Sequence, residues 1–196
     1  TNTASQTISG VLSANLTQGE VVKVSLNNGA NWVNASGITG QNTWSLSGQT
    51  LSGSNTLLVK VTDAAGNDGV VSSQAYTLDT NAPAAPSVTE QTTTKAADQY
   101  LNIAESAATT SFRVTLPGSG SKAVAGDKIE LLLGGASFAT PKVVILDDKS
   151  ISDGYTDFTV SKADLGADGA KSLTAKITDI AGNISNASTS VAFTLD

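Results

Sequence analysis

The chain has no cysteine, no histidine and no methionine among its 196 residues. Without cysteine there is neither a disulfide framework nor a thiol nucleophile. Without histidine the commonest general base is missing, and zinc sites built from His and Cys are excluded. Positive charge is also scarce: 11 Lys and Arg stand against 17 Asp and Glu, for a net charge of −6, and Arg113 is the sole arginine. That balance speaks against nucleic acid and against anionic membrane surfaces, which both require a basic footprint. No apolar run approaches the ~18 residues of a membrane span, so membrane insertion is not expected. Helix-rich blocks of Glu, Lys and Leu are absent too.

What remains is rich in Thr, Ser, Val and Gly, the composition of an all-β protein. The length allows one large domain or two of about 100 residues. Self-similarity decides between them. The run Leu57-Leu58-Val59-Lys60-Val61-Thr62-Asp63-Ala64-Ala65-Gly66-Asn67 returns 116 residues later as Leu173-Thr174-Ala175-Lys176-Ile177-Thr178-Asp179-Ile180-Ala181-Gly182-Asn183. Each copy is followed by a strand-like segment ending in Thr-Leu-Asp, at Asp79 and at Asp196. Residues 57, 59 and 61 are apolar between mostly polar neighbours, the period of a half-buried strand, and Asp-x-Ala-Gly-Asn is a tight turn. Between the copies lies Asp79-Thr80-Asn81-Ala82-Pro83-Ala84-Ala85-Pro86, where two prolines stop any ladder and leave a short extended connector. The sequence therefore predicts two tandem immunoglobulin-like β-sandwiches, residues 1–80 and 81–196, each ending in a β-hairpin. Only about five residues precede the first predicted strand, Gln6–Leu12, so the opening strand of the first domain is expected to be missing or shortened. The chain also ends where its internal connector begins, which suggests a piece of a longer array.

Together these residues carry a resemblance. Asp-x-Ala-Gly-Asn ahead of Thr-Leu-Asp-Thr-x-Ala-Pro resembles the bacterial immunoglobulin-like repeats of giant surface adhesins, the Bap-like, SiiE-like and LapA-like biofilm proteins. The segment Val24–Trp32 is similar to one repeat subtype, and Leu101–Glu105 with Ala125-Gly126-Asp127 to another. The resemblance implies an extended, calcium-stiffened stalk of a secreted or surface adhesin. Its partners would be neighbouring repeats of the same chain, it would be a monomer outside the cell, and it would bind ions rather than catalyse a reaction.

The calcium expectation also has a geometric basis. In a sandwich whose last strand leaves at one pole, the hairpin turn before that strand lies at the other. Asp179 and Asn183 should then stand where the connector enters the second domain, facing Asp79 and Asn81. Carboxylates, an amide and backbone carbonyls begin to fill the shell of 6–8 oxygens that Ca²⁺ takes. By the same logic Asp63 should face the exit of a preceding domain, and Asp196 a following one. Asp98 and Glu105 form a second acidic cluster, with Glu105 expected at the exit pole near Asp196. In the competing reading, Asp63 and Asp179 only cap their turns and the other acids are solvated. The acids Asp147, Asp148, Asp153 and Asp157 read as turn and edge-strand protection. Trp32 and Trp44 read as core, with a sugar-stacking platform as the alternative. Two other functions stay open: a recognition module for glycan or host protein, and an accessory domain of an extracellular hydrolase.

Overall fold

Short runs of alternating Val, Ile, Leu and Thr, cut by Gly and Asn turns, can bury one face only by pairing into sheets that pack face to face. In the computed structural model the chain does so twice, in Thr1–Thr80 and Asn81–Asp196. Residues 1–91, 100–101 and 110–196 are described; Asp98 and Glu105 lie outside them.

The first unit holds β1 (Ser5–Val11), β2 (Val21–Ser25), β3 (Val33–Asn34), β4 (Ser36–Gly37), β5 (Thr43–Thr50), β6 (Asn55–Thr62) and β7 (Ser72–Tyr76). They form one sheet of order β1-β5-β4 and a second of order β3-β2-β6-β7, and every pairing is antiparallel. Leu16, Val22, Val24, Trp44 and Leu46 fill the space between the sheets. Trp44 is therefore a core residue. Trp32 is half-buried, with the Lys60 ammonium 4.2 Å above its ring. The Asn28-Gly29 turn bends through positive φ at both residues and is held by Ser25 and Asn27, whose side-chain oxygens accept the Gly29 and Asn31 N–H groups.

The second unit holds β8 (Ser87–Glu90), β9 (Tyr100–Leu101), β10 (Thr110–Thr115), β11 (Lys128–Leu133) and β12 (Ala136–Ile145). These are followed by α1 (Asp148–Asp153), β13 (Tyr155–Val160), α2 (Lys162–Leu165), β14 (Gly169–Thr178) and β15 (Val191–Leu195). One sheet runs β13-β10-β8 and the other β12-β11-β14-β15-β9. The β9–β15 pairing is parallel. This core is the larger of the two, with Phe112, Phe138, Phe158 and Phe193 among Ile129, Leu131, Leu173 and Ile177.

Each unit is an immunoglobulin-like sandwich, and the two share one plan: β10 matches β1, β11 matches β2, β13 matches β5, and β14 and β15 match β6 and β7. The acidic run departs from the sequence reading. Asp147 is the N-cap of α1, its carboxylate accepting the Ser150 N–H, so the run starts a helix. Asp157 in turn pairs with Arg113 across β10 and β13 at 2.8 Å. β12 begins at Ala136, after the Gly134-Gly135 turn, and its pairing with β11 absorbs a register shift at Leu131/Leu132. α2 is closed by a capping box between Ser161 and Asp164.

Candidate metal centre

The pole at which the chain enters the second unit is built by strand ends. β8 starts opposite the end of β10 (Ser87 against Thr115), and β11 starts opposite the end of β14 (Lys128 against Thr178). The connector comes in at the same place, where the Ala84 N–H bonds the Ser121 carbonyl. β15 leaves from the other end, so the Asp179–Asn183 turn stands at the leading pole, on the side of the unit that receives the connector.

The two repeated turns have the same hydrogen bonds. In the first unit the Asp63 carboxylate accepts from the backbone of Ala65 and Asn67 at 2.9 and 2.8 Å and from the Asn67 amide at 2.9 Å. In the second, Asp179 accepts from the Asn183 backbone at 2.7 Å and from its amide at 2.8 Å. Gly66 and Gly182 close the turns at φ of 91° and 98°, a conformation that a side chain would strain. The bonds from Asn67 hold the Asp63 carboxyl below the ordinary carboxylate range. For Asp179 burial works to raise the value, and the bonds from Asn183 and the turn amides outweigh it, leaving a net lowering. Both aspartates are thus anionic turn caps. A carboxylate offers about four acceptor positions, so capping does not use all of them.

Sequence reasoning missed the residue on the other side of this pole. The ladder position after Lys128–Thr178 sets Asp127 opposite Asp179. Inward and outward residues alternate along a strand, and Ile129 is buried, so Asp127 falls on the inward face, while Asp179, just past the end of β14, is half-buried. Asp127 is a carboxylate at 1% exposure. Its Oδ2 accepts the Val124 N–H at 2.9 Å, while its Oδ1 is buried with no hydrogen-bond partner. The first unit repeats the arrangement: Glu20 Oε2 accepts the Thr17 N–H at 2.6 Å, and the position after Val21–Thr62 sets Glu20 opposite Asp63. Glu20 differs in being half-exposed. The readable signal was a second internal repeat, Thr17-Gln18-Gly19-Glu20 and Val124-Ala125-Gly126-Asp127, each directly ahead of a strand.

The remaining predicted ligands are spread along the chain. Asp79 is half-buried in the first unit, where its N–H bonds the Thr1 carbonyl, and Asn81 is exposed at the start of the second. Asp196 is exposed beyond β15, at the pole opposite Asp179. Among the described residues no three acidic side chains gather into one metal-binding group. A buried carboxylate oxygen without a donor still suits a hard cation, since calcium takes oxygen ligands and desolvated carboxylates require compensation.

Comparison with solved structures gives partial likenesses. A calcium-stabilised adhesin with which an Antarctic bacterium binds ice is 25% identical, with a TM-score of 0.48, over 98% of this chain and 45% of that one. The BSP domain of a biofilm-associated protein is 15% identical at a TM-score of 0.33, over 97% of this chain and 27% of that one. The fibronectin(III)-like modules of Clostridium thermocellum CbhA are 14% identical at 0.49, over 98% and 85%. The chain thus spans less than half the length of the first two. No family model and no curated protein sequence matches. Immunoglobulin-like domains of bacterial adhesins are among the structures this chain is similar to.

Proposed function

We propose that the two sandwiches are a stalk segment of a bacterial surface or secreted adhesin, and that calcium at the leading pole of the second unit fixes the joint between them. The observation that carries this reading is Asp127, whose buried Oδ1 has no partner and which stands one ladder step from Lys128, opposite Asp179. Asp127 and Asp179 supply carboxylates from the second unit, Asn81 an amide and Asp79 a carboxylate from the connector. The ion replaces a flexible hinge by a set angle, because contacts between domains of one chain otherwise permit motion. A sugar-stacking role is less well supported, since Trp44 is in the core and Lys60 covers one face of Trp32.

Calorimetric titration of the intact chain with calcium tests the reading. We expect one tight site, weakened at least tenfold by Asp127→Asn and by Asp79→Asn. Unchanged affinity in both variants, or no heat at millimolar calcium, would remove the ion from this pole.

A further inference from the structure

The tripeptide Asn-x-Ser/Thr is the acceptor for N-linked sugar, and the chain has four copies: Asn15-Leu16-Thr17, Asn34-Ala35-Ser36, Asn183-Ile184-Ser185 and Asn186-Ala187-Ser188. In a chain rich in Asn, Ser and Thr such copies also arise by chance. The fold separates them. In the second unit both hydroxyls are structural: Ser185 and Ser188 are 4% and 7% exposed. Their Oγ atoms accept the Ile177 and Ala175 N–H groups at 2.9 and 3.0 Å and donate to the Asn186 and Thr189 carbonyls. With the Ser185 and Ser188 N–H groups bonded to the Ile177 and Ala175 carbonyls, residues 185–188 are held against β14. The Asn183 amide is engaged as well, donating to Asp179 at 2.8 Å. In the first unit Asn34 pairs with Lys23 and Ser36 with Ser45, so that copy is tied into a sheet at each end.

Asn15-Leu16-Thr17 is different, because it lies between β1 and β2, outside both strands. Leu16 is a core residue, and its N–H and carbonyl are bonded to the Gln41 carbonyl and the Gly40 N–H. Asn15 and Thr17 on either side of it are exposed. The Thr17 N–H is taken by Glu20, but among the described residues no hydrogen bond engages the Thr17 hydroxyl or the Asn15 side chain.

We propose that Asn15 is a glycosylation site, which takes a sugar from a nucleotide-activated donor. The Asn15 Nδ2 attacks the anomeric carbon of the sugar and gives up one proton to a base of the transferase. The new N–C bond replaces the bond from that carbon to the diphosphate, and the nucleoside diphosphate leaves. The Thr17 hydroxyl is the group by which the transferase recognises the acceptor. It and the Asn15 amide flank the buried Leu16 and are both open to solvent, so the folded loop presents the pair without opening. The product is a bulky, neutral, polar group on the loop that leads into β2. A sugar on Asn183 would instead break its bond to Asp179, and recognition of either serine would pull a hydroxyl out of the β14 ladder.

The test treats the native full chain with a soluble N-glycosyltransferase and UDP-glucose, alongside short synthetic peptides centred on each of the four asparagines. Peptide mapping by mass spectrometry gives the initial rate of hexose addition at each site. Dividing the rate in the chain by the rate in the matching peptide removes the enzyme's own sequence preference. Asn15 should keep most of its peptide rate. Asn183 and Asn186 should lose about tenfold or more, because the transferase reaches them only after local opening. Thr17→Ala should abolish addition at Asn15, and Thr17→Ser should retain it, with both variants folded by circular dichroism. Another asparagine keeping a larger fraction of its peptide rate than Asn15 would overturn the proposal. So would the absence of hexose from Asn15, or addition there that survives Thr17→Ala.

Discussion

Asp164 shows what the acids of this chain do when they are not at a pole. It sits in the first turn of α2, accepts the Ser161 N–H and hydroxyl, and pairs with Lys142 at 2.8 Å. Lys142 first, and then the Ser161 bonds, hold its carboxyl down at about 2. A carboxyl whose folded value lies below its unfolded one adds stability that is complete above the unfolded value and lost as pH falls. The contribution of Asp164 should therefore be full above about pH 4 and fade toward pH 2. Asp164→Ala should destabilise the second unit by about 1 to 2 kcal/mol at neutral pH and by much less near pH 2, read from urea midpoints at each pH. Asp127 is placed differently. Its Oδ1 is buried without a hydrogen-bond donor, so in chelator Asp127→Asn should leave the melting temperature equal or higher. In calcium, the same variant should lose the thermal shift that the native chain gains. A lower melting temperature for Asp127→Asn in chelator would show that Oδ1 has a structural partner.

At the scale of elements, the two leading poles differ in one respect that affects affinity. Opposite Asp179 stands a buried aspartate, and opposite Asp63 a half-exposed glutamate. The Asp63 turn should bind calcium at least tenfold more weakly than the Asp179 turn, and a second tight site abolished by Asp63→Ala would contradict this. The loop that aims Asp127 depends on Gly126, at φ of 96° with the Ile180 side chain 2.8 Å from where a Cβ would stand. The Ile180 tip can move aside; the backbone strain cannot be relieved in that way. Gly126→Ala should therefore cost about 1 to 2 kcal/mol in the unfolding of the second unit, measured by denaturant titration. The strands themselves were legible because alternation acts locally: Leu57, Val59 and Val61 mark β6 from within one run of sequence. The pole was only half legible. Asp63 and Asp179 announce themselves by their repeated turn, but their counterparts Glu20 and Asp127 reach them through the β2–β6 and β11–β14 registers. Those partners lie 43 and 52 positions away in the sequence. Register is set by which faces are buried, and a reading along the chain does not see it. The α1 helix was missed for the opposite reason: Asp147 caps it through a purely local bond, but six residues are too few for a helical period to show.

On the scale of the whole molecule, the proposed function makes the connector Asp79–Pro86 between the two sandwiches the place where calcium would act. Small-angle scattering of the intact chain, in calcium and in chelator, tests this most directly. A calcium-fixed joint predicts a longer and narrower distance distribution in calcium. It also predicts that Asp79→Asn and Asp127→Asn make the calcium profile match the chelator profile while both units stay folded by circular dichroism. Superimposable profiles of the native chain with and without millimolar calcium would contradict it.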